Sequence, residues 1–112
     1  MSDYKLNIVE YLRGGKSRFE KLFNSLDAAA AAKITTALYR LEHGNVSNIK
    51  SVGKGVLEYK VDFGPGYRIY FGKKGNDLII LLGGGSKKTQ SEDIIKAQTA
   101  WQDYKTDYKS KD

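Results

Sequence analysis

Apolar and polar residues alternate twice between Val56 and Phe71, on either side of Gly64-Pro65-Gly66. Leu57, Tyr59, Val61 and Phe63 fall on one parity, shared by Tyr67, Ile69 and Phe71, while Glu58, Lys60, Asp62, Arg68 and Tyr70 take the other. Successive strand side chains point to opposite faces, so this stretch predicts an antiparallel hairpin with one apolar and one ionisable face. A turn that pairs Phe63 with Tyr67 would set Asp62 opposite Arg68 and Lys60 opposite Tyr70.

The same reading extends to both sides. Tyr4, Leu6 and Ile8 alternate with Lys5, Asn7 and Val9, which predicts a first strand ending near Tyr11 and broken by Gly14-Gly15. Ser17-Arg-Phe-Glu20 has the spacing of a capping box, and Phe19, Leu22, Phe23 and Leu26 give the short helix behind it an apolar face. Asp27 is placed to cap a second helix through Ala28-Ala-Ala-Ala-Ala32, with Ile34, Leu38 and Leu41 on one stripe and His43-Gly44-Asn45 as the stop. The short joint between these helices predicts an antiparallel helical hairpin. Asn45 to Gly55 reads as a polar loop of weak structure.

Beyond the central hairpin, Lys73-Lys-Gly-Asn-Asp77 is a second turn and Leu78-Ile-Ile-Leu-Leu82 a strand whose unbroken apolar run suits cover on both faces. Gly83-Gly-Gly85 and a polar segment lead to a last helix, capped by Thr89 or Ser91, in which Ile94, Ala97, Trp101 and Tyr104 share a face. Trp101 is expected to bury that helix against the sheet. The predicted order is β-α-α-β-β-β-α, an α+β domain with helices on one side of a small antiparallel sheet. Residues 1–106 form the expected single domain, and residues 107–112 a charged tail.

Composition narrows the chemistry. The chain of 112 residues, 40% hydrophobic and 29% charged, is one domain's worth of ordinary globular sequence. Without cysteine it has no disulfides, thiolate chemistry or cysteine zinc sites, and its single histidine, His43, fits the last turn of a helix better than a metal centre. No apolar run approaches the ~20 residues of a membrane helix, and Met1-Ser-Asp-Tyr-Lys5 lacks a signal-peptide core, so the cytoplasm is the expected location. A net charge of +6 favours a polyanionic partner, nucleic acid or an acidic protein, although a silent basic surface has the same composition.

Arg68 is the first candidate for function, because a guanidinium presents a planar fork of donors to phosphate oxygens and stays charged. The plain alternative is a cross-strand ion pair with Asp62. Gly83-Gly-Gly-Ser-Lys-Lys-Thr-Gln90 misses the spacing of a nucleotide-binding P-loop, but Lys87 and Lys88 beside a helix start make an anion-binding edge or, more plainly, a solvated connection. Tyr70 is the aromatic residue of the hairpin whose parity would let it meet a ligand. Metal-free ribonucleolysis needs a base for the 2′-OH, donors for the phosphoryl oxygens and an acid for the leaving oxygen. Glu58, Lys60 and Asp62 are candidates for the proton transfers, a lysine serving if neighbouring cations lower its affinity for protons.

Taken together, Leu57-Glu-Tyr-Lys-Val-Asp-Phe-Gly-Pro-Gly-Tyr-Arg-Ile-Tyr-Phe71, the apolar strand and Gly83-Gly-Gly-Ser-Lys-Lys-Thr-Gln-Ser-Glu-Asp-Ile94 resemble the RelE/HigB-like toxins of type II toxin–antitoxin modules, in the branch called addiction-module killer proteins. Arg40-Leu-Glu-His-Gly44 is similar to that branch's second-helix ending.

The resemblance implies a microbial-RNase-like fold and a ribosome-dependent endoribonuclease that cleaves mRNA in the A site. It needs no metal or other cofactor and would leave a 2′,3′-cyclic phosphate. It maps the family's strand arginine onto Arg68, at the scissile phosphate. The preceding basic position maps onto Lys60, with Glu58 as base or orienting group, and the basic pair onto Lys87 and Lys88. Implied partners are mRNA, 16S rRNA, the ribosome and a cognate antitoxin, expected to be a helix-turn-helix protein.

The chain departs from the pattern at Gln90, where an arginine is usual, and at Ile94, where a tyrosine is usual. Gln90 is kept among the RNA-binding candidates, and Tyr70 among the catalytic ones as a replacement phenol. A ParE-like inhibitor of DNA gyrase without nuclease chemistry is the alternative, and an inactive antitoxin-binding remnant a third reading.

Overall fold

The computed structural model describes residues 5–45 and 47–110, so Tyr4 of the expected first strand and the last two residues of the tail lie outside it. Within it, β1 (Asn7–Glu10) leads to a small hairpin of β2 (Leu12–Arg13) and β3 (Lys16–Ser17), turned at Gly14-Gly15. Next come α1 (Arg18–Asn24), α2 (Ala28–Glu42), β4 (Ile49–Ser51), β5 (Leu57–Val61), β6 (Tyr67–Lys74), β7 (Leu78–Ser86) and α3 (Gln90–Ser110), a 3₁₀ turn at Lys87–Thr89 joining the last two. The fold is α+β, built on one five-stranded sheet in the order β1-β7-β6-β5-β4.

Local chemistry starts both short-range helices as expected. The Ser17 hydroxyl accepts the Glu20 amide at 3.0 Å, and the Asp27 carboxylate accepts that of Ala30 at 2.9 Å. His43 closes α2 at its C-cap, Nδ1 donating to the Tyr39 carbonyl at 2.8 Å.

Three expectations are corrected. The sheet is mixed rather than antiparallel, because β1 runs parallel to β7 with Ile8 beside Ile79. The segment read as a loop after Asn45 contains β4, an edge strand that pairs Lys50 with Glu58. Helices cover both faces. Against one face, α1 and α2 bury Phe19, Ile34 and Leu41 on Tyr59, Ile69, Phe71, Ile79 and Leu81. On the other face, α3 buries Ala97, Ala100 and Trp101 on Val56, Tyr70, Ile80 and Leu82. The unbroken apolar run of β7 required this, since its alternate side chains enter two separate cores.

Trp101 packs on β6 through a glycine: a Cβ on Gly72 would stand 2.4 Å from the indole ring. Gly72→Ala is expected to destabilise the fold by about 1–3 kcal/mol through overpacking. Urea unfolding followed by tryptophan fluorescence measures it, and an unchanged midpoint would show that the indole can move aside.

Candidate functional site

The central hairpin keeps the predicted faces but not the predicted partners. Val61, not Phe63, pairs with Tyr67, so Lys60 lies opposite Arg68 and Glu58 opposite Tyr70. Residues 62–66 form the connection, with Gly64 and Gly66 at φ of 56° and 80° around Pro65, and the Gly66 amide donates to the Phe63 carbonyl. Glycine adopts this left-handed backbone without steric cost, which places the reversal inside the loop. A register shift of two residues preserves every face, so the error touches neighbours and not parity.

Asp62 consequently leaves the strand pair. It sits exposed in the connection, 3.5 Å from Lys60 Nζ, and the expected pairing with Arg68 is not made. Arg68 instead turns to Glu58: the guanidinium Nε stands 3.8 Å from Glu58 Oε2. Glu58 is 1% exposed and Arg68 6%.

Glu58 is the hub of the arrangement. Its Oε2 accepts from the Tyr70 hydroxyl at 3.0 Å and from Gln90 Nε2 at 2.8 Å, and its Oε1 lies 3.8 Å from Lys50 Nζ. The phenol expected to face a ligand is fully buried beneath α3. Burial pushes its pKa up, and the Glu58 charge and hydrogen bond push it further, so Tyr70 remains a proton donor to Glu58. Ile94, the other departure from the resemblance, packs against the apolar cluster under α3 that also holds Tyr70.

The glycines after Leu82 belong to β7 rather than to a loop. A bulge shifts the β6–β7 register between Tyr70 and Phe71, and beyond it Gly83 faces Tyr70 and Gly85 faces Arg68. Side chains are excluded there by close packing, since a Cβ on Gly84 would strike Leu22 and the Arg68 carbonyl, and one on Gly85 the Asp93 carboxylate. Of the two expected caps, Ser91 lies inside α3, while Thr89 stands directly before it at the end of the 3₁₀ turn and donates its hydroxyl to the Asp93 carboxylate.

That turn delivers the lysine pair. The Gly66 carbonyl accepts from the Lys87 amide at 2.8 Å and from Arg68 Nη1 at 3.1 Å, so the strand arginine and the start of the turn share one acceptor. Lys87 and Lys88 are both exposed. Arg68 Nε is buried and has no hydrogen-bond acceptor among the described residues.

A shallow pocket of ≈ 260 Å³ opens over this wall, lined by Ser47, Asn48, Ile49, Lys50, Glu58, Lys60 and Arg68. Lys50 and Lys60 reach it from solvent, their side chains 67% and 52% exposed. Chemically it is a cationic mouth with a fixed guanidinium at its base, suited to an anion with several oxygens. The structure thus gathers Glu58, Arg68, Tyr70 and Gln90 in one network, with Lys60 beside it in the pocket wall and Lys87 on its border.

Sequence reading missed Lys50 and its neighbours Ser47 and Asn48. Their only local signal was the short alternation Ile49-Lys-Ser51, too brief to separate from a loop.

Residues 21–105 match the profile of the family described as Phage derived protein Gp49-like (DUF891). A Haemophilus influenzae protein described only as uncharacterized is 46% identical over 69 residues, which make up 62% of this chain and 70% of that protein. No helix among the described residues is long and apolar enough to cross a membrane.

Proposed function

Because the chain belongs to the phage-derived Gp49-like family, a family associated with toxin–antitoxin modules, we propose that it is the toxin of a type II module and cleaves mRNA on the ribosome. The family implies an antitoxin partner. The observation that carries the nuclease reading is the buried Glu58–Arg68 pair at the base of the cationic pocket. Enclosing a guanidinium this deeply is costly unless its direction matters, since a purely structural ion pair gains little over apolar packing.

In this reading Arg68 binds the scissile phosphate and stabilises the charge that grows on its oxygens as the ribose 2′-OH attacks. Glu58 orients the guanidinium; its Oε2 already accepts from Tyr70 and Gln90, so we assign it a positioning role in preference to that of base. Tyr70 and Gln90 hold Glu58 in turn. Lys60, exposed and opposite Arg68 in the strand register, is assigned the proton transfer, and Lys50, Lys87 and Lys88 supply phosphate contacts. The products would be a 2′,3′-cyclic phosphate and a 5′-hydroxyl end.

The test is induction in cells followed by mapping of mRNA 5′ ends and a parallel supercoiling assay with purified gyrase. New 5′-hydroxyl ends inside translated frames are expected, with gyrase unaffected. Growth arrest with intact mRNA and inhibited supercoiling would instead establish the gyrase alternative.

A further inference from the structure

A second basic pocket adjoins the first. It has a volume of ≈ 210 Å³ and is lined by Lys33, Thr36, Ala37 and Arg40 of α2, by Asn48, and by Tyr59, Lys60, Val61 and Asp62 of β5 and its connection. Asn48 and Lys60 line both pockets, so the two form one continuous groove across the β4–β5 side of the sheet and onto α2. Lys33, Lys50, Lys60, Arg40 and Arg68 border this groove against two carboxylates, Glu58 and Asp62. Glu58 is turned inward onto Tyr70 and Gln90, which leaves Asp62 as the exposed negative group.

The positions on α2 follow from helix geometry. Ile34, Ala37 and Leu41 are buried in the core, while Lys33, Thr36 and Arg40, at spacings of three, four and seven residues, share the adjoining exposed flank. Lys33 is further directed over the Phe63 ring, its Nζ 5.5 Å from the centroid. No expectation from the sequence attached either α2 cation to function.

We propose that this second pocket is a phosphate subsite for single-stranded RNA, in which Lys33 and Arg40 hold the strand one step away from the phosphate at Arg68. The inference rests on the nuclease reading above: an RNA that places a phosphate at Arg68 must continue beyond it, and Lys60 links that point to α2. Contacts here are to phosphate, so they set affinity and register without reading sequence.

The experiment measures fluorescence anisotropy of a short 2′-O-methyl oligoribonucleotide, which cannot be cleaved through its 2′ position, at several salt concentrations. The double variant Lys33→Gln/Arg40→Gln is expected to bind roughly tenfold more weakly at low salt, with the slope of log K against log salt shallower by about 1.4 for two lost phosphate contacts. Asp62→Asn is expected to bind more tightly. Lys16→Gln/Lys73→Gln removes the same charge from exposed positions outside the groove and should leave the slope unchanged. Thermal melting checks that each variant is folded.

Wild-type affinity and slope in the α2 variant would overturn the subsite, as would an equal loss in the Lys16/Lys73 control. Equal competition by polyglutamate would overturn its assignment to nucleic acid. If mRNA is cleaved in cells while the α2 variant binds as wild type, the subsite alone is wrong. If binding follows α2 but no cleavage occurs, the nuclease reading is wrong.

Discussion

Glu58→Ala is expected to lower the free energy of unfolding by about 3–5 kcal/mol, as removal of one partner from a buried ion pair does. The argument is one of abandoned groups. Without the carboxylate, the Arg68 guanidinium remains 6% exposed with no counter-charge, and the Tyr70 hydroxyl and Gln90 amide lose their shared acceptor. The Tyr70 hydroxyl, fully buried, then carries a desolvation cost of about 1–3 kcal/mol within that total, while the half-buried Gln90 can turn to solvent. Tyr70→Phe, which removes one hydrogen bond and keeps the ring in the α3 core, should cost only about 1 kcal/mol. Urea unfolding of the two variants beside wild type gives both values. A Glu58→Ala loss no larger than that of Tyr70→Phe would mean that solvent reaches Arg68 and the pair is not truly buried.

Arg68→Lys is expected to cut ribosome-dependent cleavage by about 10²–10³-fold, the scale of removing one positioned donor to a developing oxyanion. The substitution keeps a positive charge opposite Lys60 and beside Glu58, so the variant should still unfold in one cooperative step. It discards the planar fork, and with it the Nη1 bond to Gly66 that ties the arginine to the Lys87 turn. Single-turnover cleavage on programmed ribosomes, with unfolding as control, separates a lost contact from a lost fold. Retention of activity within about threefold would demote Arg68 to a charge that any cation can supply.

These two expectations depend on contacts that no local pattern contains. The Glu58–Tyr70 bond joins residues that alternation had already put on one face, yet their adjacency came from a register set two residues away from the simplest one. A period of two records the face but is blind to an even shift, and only the left-handed glycines around Pro65 choose between registers. Gln90 is a comparable case. In the sequence it stood out as a departure from the resemblance; in the fold it begins α3 directly over Glu58, thirty-two residues away along the chain. The glycine run after Leu82 looked like a connection because it has no side chains to show alternation. It pairs with β6 as strand, and its residues are glycines because Leu22 and Asp93 occupy the space that side chains would have needed.

By itself, the sequence determined whatever is decided within a few residues. The hairpin's two faces, the caps at Ser17 and Asp27, the stop at His43 and the helical stripe that carries Trp101 all follow from short-range sterics and hydrogen bonding. Tertiary structure alone decided what covers each face. The ionisable side of the hairpin is half solvent and half core: α3 buries Tyr70 and reaches Glu58 through Gln90, Glu58 and Arg68 form the floor of the pocket, and Lys60 stays in water at the open edge. Burial of a charged strand face depends on where a distant helix lands, and that helix is placed by Gly72 accepting Trp101 and by Gly85 admitting Asp93, close approaches between segments far apart in the chain.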